Sequence, residues 1–163
     1  LLAKAKAAPA DQAKRLRELA DELPVGDALR GKAVFRGPKA GCSTCHSMAY
    51  HGGNLGPDLT RIGQVRKRMD LLEAIVFPSA SFVRSFETMQ VNTDDGGVFA
   101  GIIRDQDAGQ ITLALSPEKS MRVPRGNIRH MEPMPVSLMP PGMDQVLTRK
   151  ELADLIAYLE ASQ

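Results

Sequence analysis

The sequence predicts a mainly α-helical chain interrupted by one small β-rich insertion, α+β overall, and three features carry that prediction. Apolar residues recur at helical spacing in the first half and again after Leu147. Between Phe86 and His130 the period shortens and β-branched residues gather into short runs. The only two cysteines lie between two helical segments, in the single run Gly41-Cys42-Ser43-Thr44-Cys45-His46. The expected organisation is an N-terminal helix or linker over 1–23, a core assembled from 24–82 and 135–163, and a β-rich insertion over 83–134.

Leu1 to Leu23 places Leu16, Leu19, Ala20 and Leu23 at helical spacing before Pro24, and reads as an amphipathic helix, the tail of a preceding helical domain or a linker packed on the surface. Asp27 is placed to cap a second helix through Phe35, because a short acceptor side chain can bond the free amides of a first turn. Gly31 inside that helix costs about 1 kcal/mol relative to alanine, which points to another helix approaching closely. Gly52 to Leu59 is a loop by its glycine and proline content. Arg66 to Phe77 is a helix with Leu71, Leu72, Ile75 and Val76 inward and Pro78 as its stop. Its basic start opposes the helix dipole, so those charges belong in solvent or against an acidic partner.

The runs Phe86–Thr93, Val98–Ile103, Gln110–Leu115 and Ser120–Val123 are separated by Asp/Gly-rich and Ser-Pro turns, and Gly126–Met131 reads as a fifth short piece. A β-meander follows, with a small SH3-like or Sm-like barrel as the nearest shape. After the proline-rich stretch Pro135–Gly142, Thr148 and Glu151 form a capping box for a helix through Leu159. Leu152, Leu155, Ile156 and Leu159 make its buried stripe, with Tyr158 beside it.

Composition narrows the function classes. An apolar content of 43% over 163 residues suffices for one core with an appended module. A net charge of +2, with basic and acidic residues interspersed, gives no case for nucleic acid. No apolar run approaches the roughly 20 residues of a membrane helix, so no transmembrane segment is expected. No signal peptide is recognisable, and the start at Leu1 reads as that of a mature or excised fragment. Aromatic residues are only 4% and tryptophan is absent, so a large flat cofactor would supply bulk that the side chains do not.

Two thiols separated by two residues, followed by an imidazole, is the attachment pattern of a c-type haem. Each thiol can add to one vinyl group of the porphyrin, and the next residue then sits beneath the iron as an axial ligand. A structural zinc site wants four ligands, usually from two such pairs, and there is no second pair. A thioredoxin-like redox pair belongs after a strand in a βαβ unit, whereas a helical pattern precedes Cys42. A plain disulfide or a chance spacing stays open.

Four features stand in order: a helix over Gly26–Phe35, the Cys42-to-His46 run, the Gly56-Pro57-Asp58-Leu59 loop, and Met139-Pro140 before a final amphipathic helix. This order resembles the cytochrome c family. The phrases Gly56-Pro57-Asp58-Leu59-Thr60-Arg61-Ile62-Gly63 and Asp154-Leu155-Ile156-Ala157-Tyr158-Leu159 are similar to the mono-haem domains of planctomycete-type secreted multidomain proteins. The resemblance implies one covalent haem c anchored on Cys42 and Cys45, with His46 as proximal and Met139 as distal iron ligand. It implies that the Pro57 carbonyl accepts from the far nitrogen of His46, that Leu59 packs on the porphyrin, and that Arg61 reaches a propionate or stays a solvated loop charge. Met134, Met143, His51 and His130 are the competing sixth ligands. The final helix would cross the first where Gly31 and Phe35 meet Leu155 and Tyr158. Ordinary cytochromes c lack the insertion, so residue roles do not carry over from the small all-helical members across Phe86–His130.

The function so implied is single-electron transfer without substrate chemistry, in a domain of a larger periplasmic or otherwise extracytoplasmic protein. Its partners would be redox proteins or a fused dehydrogenase domain. A haem-based sensor or peroxidase-like enzyme with an exchangeable sixth ligand is the rival reading, and an insertion that itself docks a partner is a third.

Overall fold

Two helices distant in sequence cross at a glycine in the computed structural model, which describes residues 2–81 and 83–162. Leu1, Phe82 and Gln163, at which expected unit boundaries fall, lie outside the described residues. Helix α2 (Ala28–Arg36) begins at Asp27, whose carboxylate accepts the Arg30 backbone N–H at 2.8 Å. Helix α7 (Arg149–Glu160) begins with a reciprocal pair: the Thr148 hydroxyl accepts from the Glu151 N–H and the Glu151 carboxylate from the Thr148 N–H. A Cβ on Gly31 would fall 1.9 Å from the carbonyl oxygen of Asp154, so only glycine lets these backbones meet. One turn on, the Phe35 and Tyr158 rings lie 5.7 Å apart.

A nearly buried carboxylate locks the crossing. Asp154 is 3% exposed and accepts from Arg30 Nε at 2.7 Å, Arg30 Nη2 at 2.9 Å and the Asp27 N–H at 2.7 Å. The hydrogen-bonded Arg30 guanidinium holds the Asp154 carboxyl below the usual carboxylate range.

Helix α1 (Leu2–Glu22) packs by its apolar face, with Leu16 and Leu19 entering the helical core. Arg15 pairs with Asp144 at 3.2 Å and Glu22 with Arg149 at 2.7 Å, tying α1 to the C-terminal region. The helix expected from Arg66 starts later. A short α4 (Ile62–Val65) precedes α5 (Arg68–Val76), and Asp70 in the first turn accepts the Lys67 N–H at 3.1 Å. Two of the three basic residues thus fall before the helix, and a carboxylate faces its positive end. Leu71, Leu72, Ile75 and Val76 are all buried.

From Met89 to Pro133 the chain forms a five-stranded antiparallel sheet in the order β6-β5-β4-β3-β7. The strands are β3 (Met89–Thr93), β4 (Val98–Gln106), β5 (Gln110–Ala114), β6 (Ser120–Pro124) and β7 (Ile128–Pro133). Phe86 belongs to a 3₁₀ turn before β3, and Asp105 lies within β4 instead of beginning a turn. The β4–β5 turn is set by Asp107, whose carboxylate accepts the N–H groups of Gly109 and Gln110 at 2.7 and 2.9 Å. β4 pairs with β3 over Val98–Gly101 and with β5 from Ile102 to Gln106, and the β4–β5 register shifts between Ile103 and Asp105. Val91, Ile111, Leu113 and Val123 form the module's own core. The chain is therefore mixed α and β, with the sheet inserted between α5 and the C-terminal helices α6 (Met143–Val146) and α7. No described helix is long and apolar enough to cross a membrane.

Candidate functional site

The two cysteines open and close a single helical turn, α3 (Cys42–Cys45), which the chain enters through Gly41 in the left-handed region (φ 62°). Residues three apart on a helix share a face, so both thiols project from one side. The chain then straightens at His46 (φ −107°, ψ 134°), whose backbone N–H donates to the Cys42 carbonyl at 2.9 Å. The next residues form a two-stranded ribbon, β1 (Ser47–Met48) and β2 (His51–Gly52), which ends where the expected Gly52–Leu59 loop begins.

Nδ1 of His46 lies 2.8 Å from the Pro57 carbonyl oxygen. A carbonyl can only accept, so Nδ1 carries the proton and Nε2 keeps its lone pair. Burial pushes the imidazole pKa down, partly offset by the Pro57 bond. The ring is therefore neutral at neutral pH, the protonation state that donates to a metal. Gly56 lies against its face: a Cβ there would come within 2.4 Å of Cε1 and 2.7 Å of Nδ1. At Gly53 a Cβ would fall 1.9 Å from the Thr44 carbonyl oxygen. The glycines thus let the loop pass directly over the turn and its histidine.

Neither cysteine is disulfide-bonded. Burial pushes the Cys42 thiol up to about 11, and burial with the carboxylate of Glu118, in the β5–β6 turn, raises that of Cys45. The influence of Glu118 marks where the sheet meets the motif. Leu55, Ile102 and Ala114 are buried together there, with Cys45, Phe86 and Leu138 packed against them. Leu55, Phe86, Ile102 and Ala114 were not singled out from the sequence. Leu55 carries a weak signal as one of two leucines in a glycine-rich loop, and the strand residues carry none.

The remaining expected residues divide. Met139 is half-buried in the loop after the sheet, directly after the Leu138 that packs beside Cys45, and its N–H donates to Ser137 Oγ at 3.1 Å. Met134 bonds through its N–H to the Thr88 carbonyl at 2.8 Å, next to the end of β7, and Met143 packs on the helical core. His51 and His130 are exposed, the latter 3.3 Å from Glu132. Leu59 packs toward the helical core, and Arg61 is exposed. Among the described residues no three His, Cys, Asp or Glu side chains converge as a metal site. Open grooves of about 410 and 350 Å³ lie on the sheet module, one lined by Glu87 and Arg104, the other by Asp95 and Arg122. Neither includes a thiol or imidazole, so the candidate site is the Cys-His turn itself, marked by its spacing and by the His46–Pro57 hydrogen bond, not by concavity. No protein-family model matches the chain, and no curated protein matches it significantly.

Proposed function

We propose that the chain is a one-electron carrier that holds a single haem c, as its resemblance to the mono-haem cytochromes c implies. Cys42 and Cys45 are its thioether anchors, His46 its proximal ligand and Met139 its distal ligand. The observation that supports this best is the His46 Nδ1 to Pro57 carbonyl hydrogen bond at 2.8 Å. It fixes the tautomer with Nε2 free and increases the basicity of that nitrogen, as the outer partner of a metal-bound histidine does. The residues fit the group: two thiols on one face of a turn, a neutral imidazole directly after them, and a glycine where any side chain would collide with that ring.

The bound haem would supply reversible one-electron chemistry at its iron, and a His/Met ligand pair raises the potential. The chain's own tasks are to anchor, to orient and to keep water out. Leu55, Leu138, Ile102 and Ala114 close the Cys45 side with apolar contacts. By the same resemblance Leu59 lies toward the porphyrin and Arg61 toward a propionate. The setting proposed is an extracytoplasmic domain of a larger redox protein, supplied by a partner protein or a fused dehydrogenase, with no substrate chemistry of its own.

The test is a preparation matured in a host that attaches haem c. Colour should stay with the polypeptide through acid-acetone extraction, and the ferric protein should show the weak long-wavelength sulfur-to-iron band. Met139→Ala should lose that band and Met134→Ala keep it. A colourless chain refutes the proposal. Rapid carbon monoxide binding by the reduced protein would move the reading to a sensor or peroxidase-like enzyme with an exchangeable sixth ligand.

A further inference from the structure

Residues 45–49 and 56–60 run side by side, joined by rungs at a nearly constant offset. The Cys45 carbonyl accepts the Gly56 N–H at 2.8 Å, and the Pro57 carbonyl lies 2.8 Å from His46 Nδ1. Ser47 Oγ donates to Asp58 Oδ2 at 2.5 Å, the Leu59 N–H to the Ser47 carbonyl at 2.9 Å, and the Ala49 N–H to Thr60 Oγ1 at 2.9 Å. Asp58 Oδ1 accepts in addition the Thr60 N–H at 2.8 Å. Ser47 directly follows His46, and Asp58 directly follows Pro57. The Pro57 oxygen belongs to the peptide that joins Pro57 to Asp58, so holding Asp58 by both carboxylate oxygens fixes the plane in which that oxygen points. The hydroxyl and amide bonds also keep the Asp58 carboxyl below its usual range, so it is ionised across the neutral region.

We propose that Ser47 and Asp58 are positioning residues: their hydrogen bond sets the Nδ1–H···O contact of His46 with Pro57, and through it the electron density His46 gives the iron. The inference rests on the reading of His46 as an iron ligand. A well-placed acceptor makes the imidazole a stronger donor, which favours the ferric state and lowers the reduction potential. Loosening the clamp should therefore raise the potential. Removing the Asp58 charge would raise it too by simple electrostatics, so the uncharged Ser47 is the decisive position.

The test uses the full chain carrying covalent haem. Wild type, Ser47→Ala, Ser47→Thr and Asp58→Ala are compared by spectroelectrochemical titration, and solvent exchange of the His46 Nδ1 proton is followed by NMR in the reduced, diamagnetic state. Ser47→Ala should raise the reduced-to-oxidised ratio at fixed ambient potential about threefold, or ~30 mV on a scale of 59 mV per tenfold for one electron. It should also speed Nδ1 proton exchange. Ser47→Thr, which keeps the hydroxyl, should restore both, and adding Ser47→Ala to Asp58→Ala should change neither further. A haem-loaded Ser47→Ala protein with wild-type potential and exchange overturns the clamp and leaves the electron-carrier reading standing. A wild-type chain that attaches no haem overturns that reading, and the clamp with it.

Discussion

The helical region and the sheet module reach their cores by opposite routes. The helical core joins residues as far apart as Leu16 and Leu159, and its tightest contact, Gly31 against Asp154, pairs the start of the chain with its end. The sheet draws Val91, Ile111, Leu113 and Val123 from one contiguous stretch, with each strand but the last paired to its sequence neighbour. The two meet at a small seam of Leu55, Ile102 and Ala114. A module of local pairings can be inserted into a chain whose ends must find each other, provided that it enters and leaves away from their crossing. Here the sheet leaves the helical region after α5 and returns before α6, and neither helix is part of the α2–α7 contact.

The largest expected effect tests this separation directly. Gly31→Val drives a branched side chain into the Asp154 carbonyl and should cost about 4 kcal/mol or more. The α2 and α7 amides should then lose protection in hydrogen exchange while β3, β4 and β5 keep theirs. Loss of all of them in a single transition would mean that the two regions fold as one unit.

A smaller effect should separate the regions by acidity. Asp154→Asn weakens the charged bonds to Arg30 and should cost about 2 kcal/mol at neutral pH in urea titrations. The folded Asp154 carboxyl lies below its unfolded value of about 3.9. Its contribution is therefore full above that pH and is lost as the pH falls through the folded value. Thermal melts between about pH 2 and pH 5 should show this acid loss in the wild type and a flatter profile in Asp154→Asn.

The smallest effect is a gain. Ala49 and Tyr50 both occupy the left-handed region, at φ 50° and 67°, in the turn between β1 and β2, and Tyr50 is fully exposed. Asparagine tolerates that conformation far better than tyrosine. Tyr50→Asn should stabilise the helical region by about 0.5 kcal/mol, seen as a small rise in its melting temperature without change in the sheet.

What could be read from the sequence was local chemistry. Asp27, Thr148 and Glu151 announce helix starts because capping acts over three residues, and Gly31 announces a close approach because its cost demands compensation. The Cys42-to-His46 run is legible because its spacing is itself the chemistry. Pro57 was expected as a partner of His46 only through the family resemblance. The burial of α1, the delayed start of α5 and the seam at Leu55, Ile102 and Ala114 depend on packing between distant segments. Nothing in the β-strand runs distinguishes Ile102, which faces the Cys45 side, from Ile111, which faces the module's own core.

The outermost strands of the sheet carry one more consequence. Among the described residues β6 and β7 each leave one side without a strand partner in the hydrogen-bonded order, and such margins invite strands from other molecules. Here β6 exposes Arg122 and ends in Pro124, while β7 exposes Arg129, His130 and Glu132 and ends in Pro133. A strand that zipped onto either margin would have to bury these charges and would find no amide donor at the prolines, which penalises pairing there.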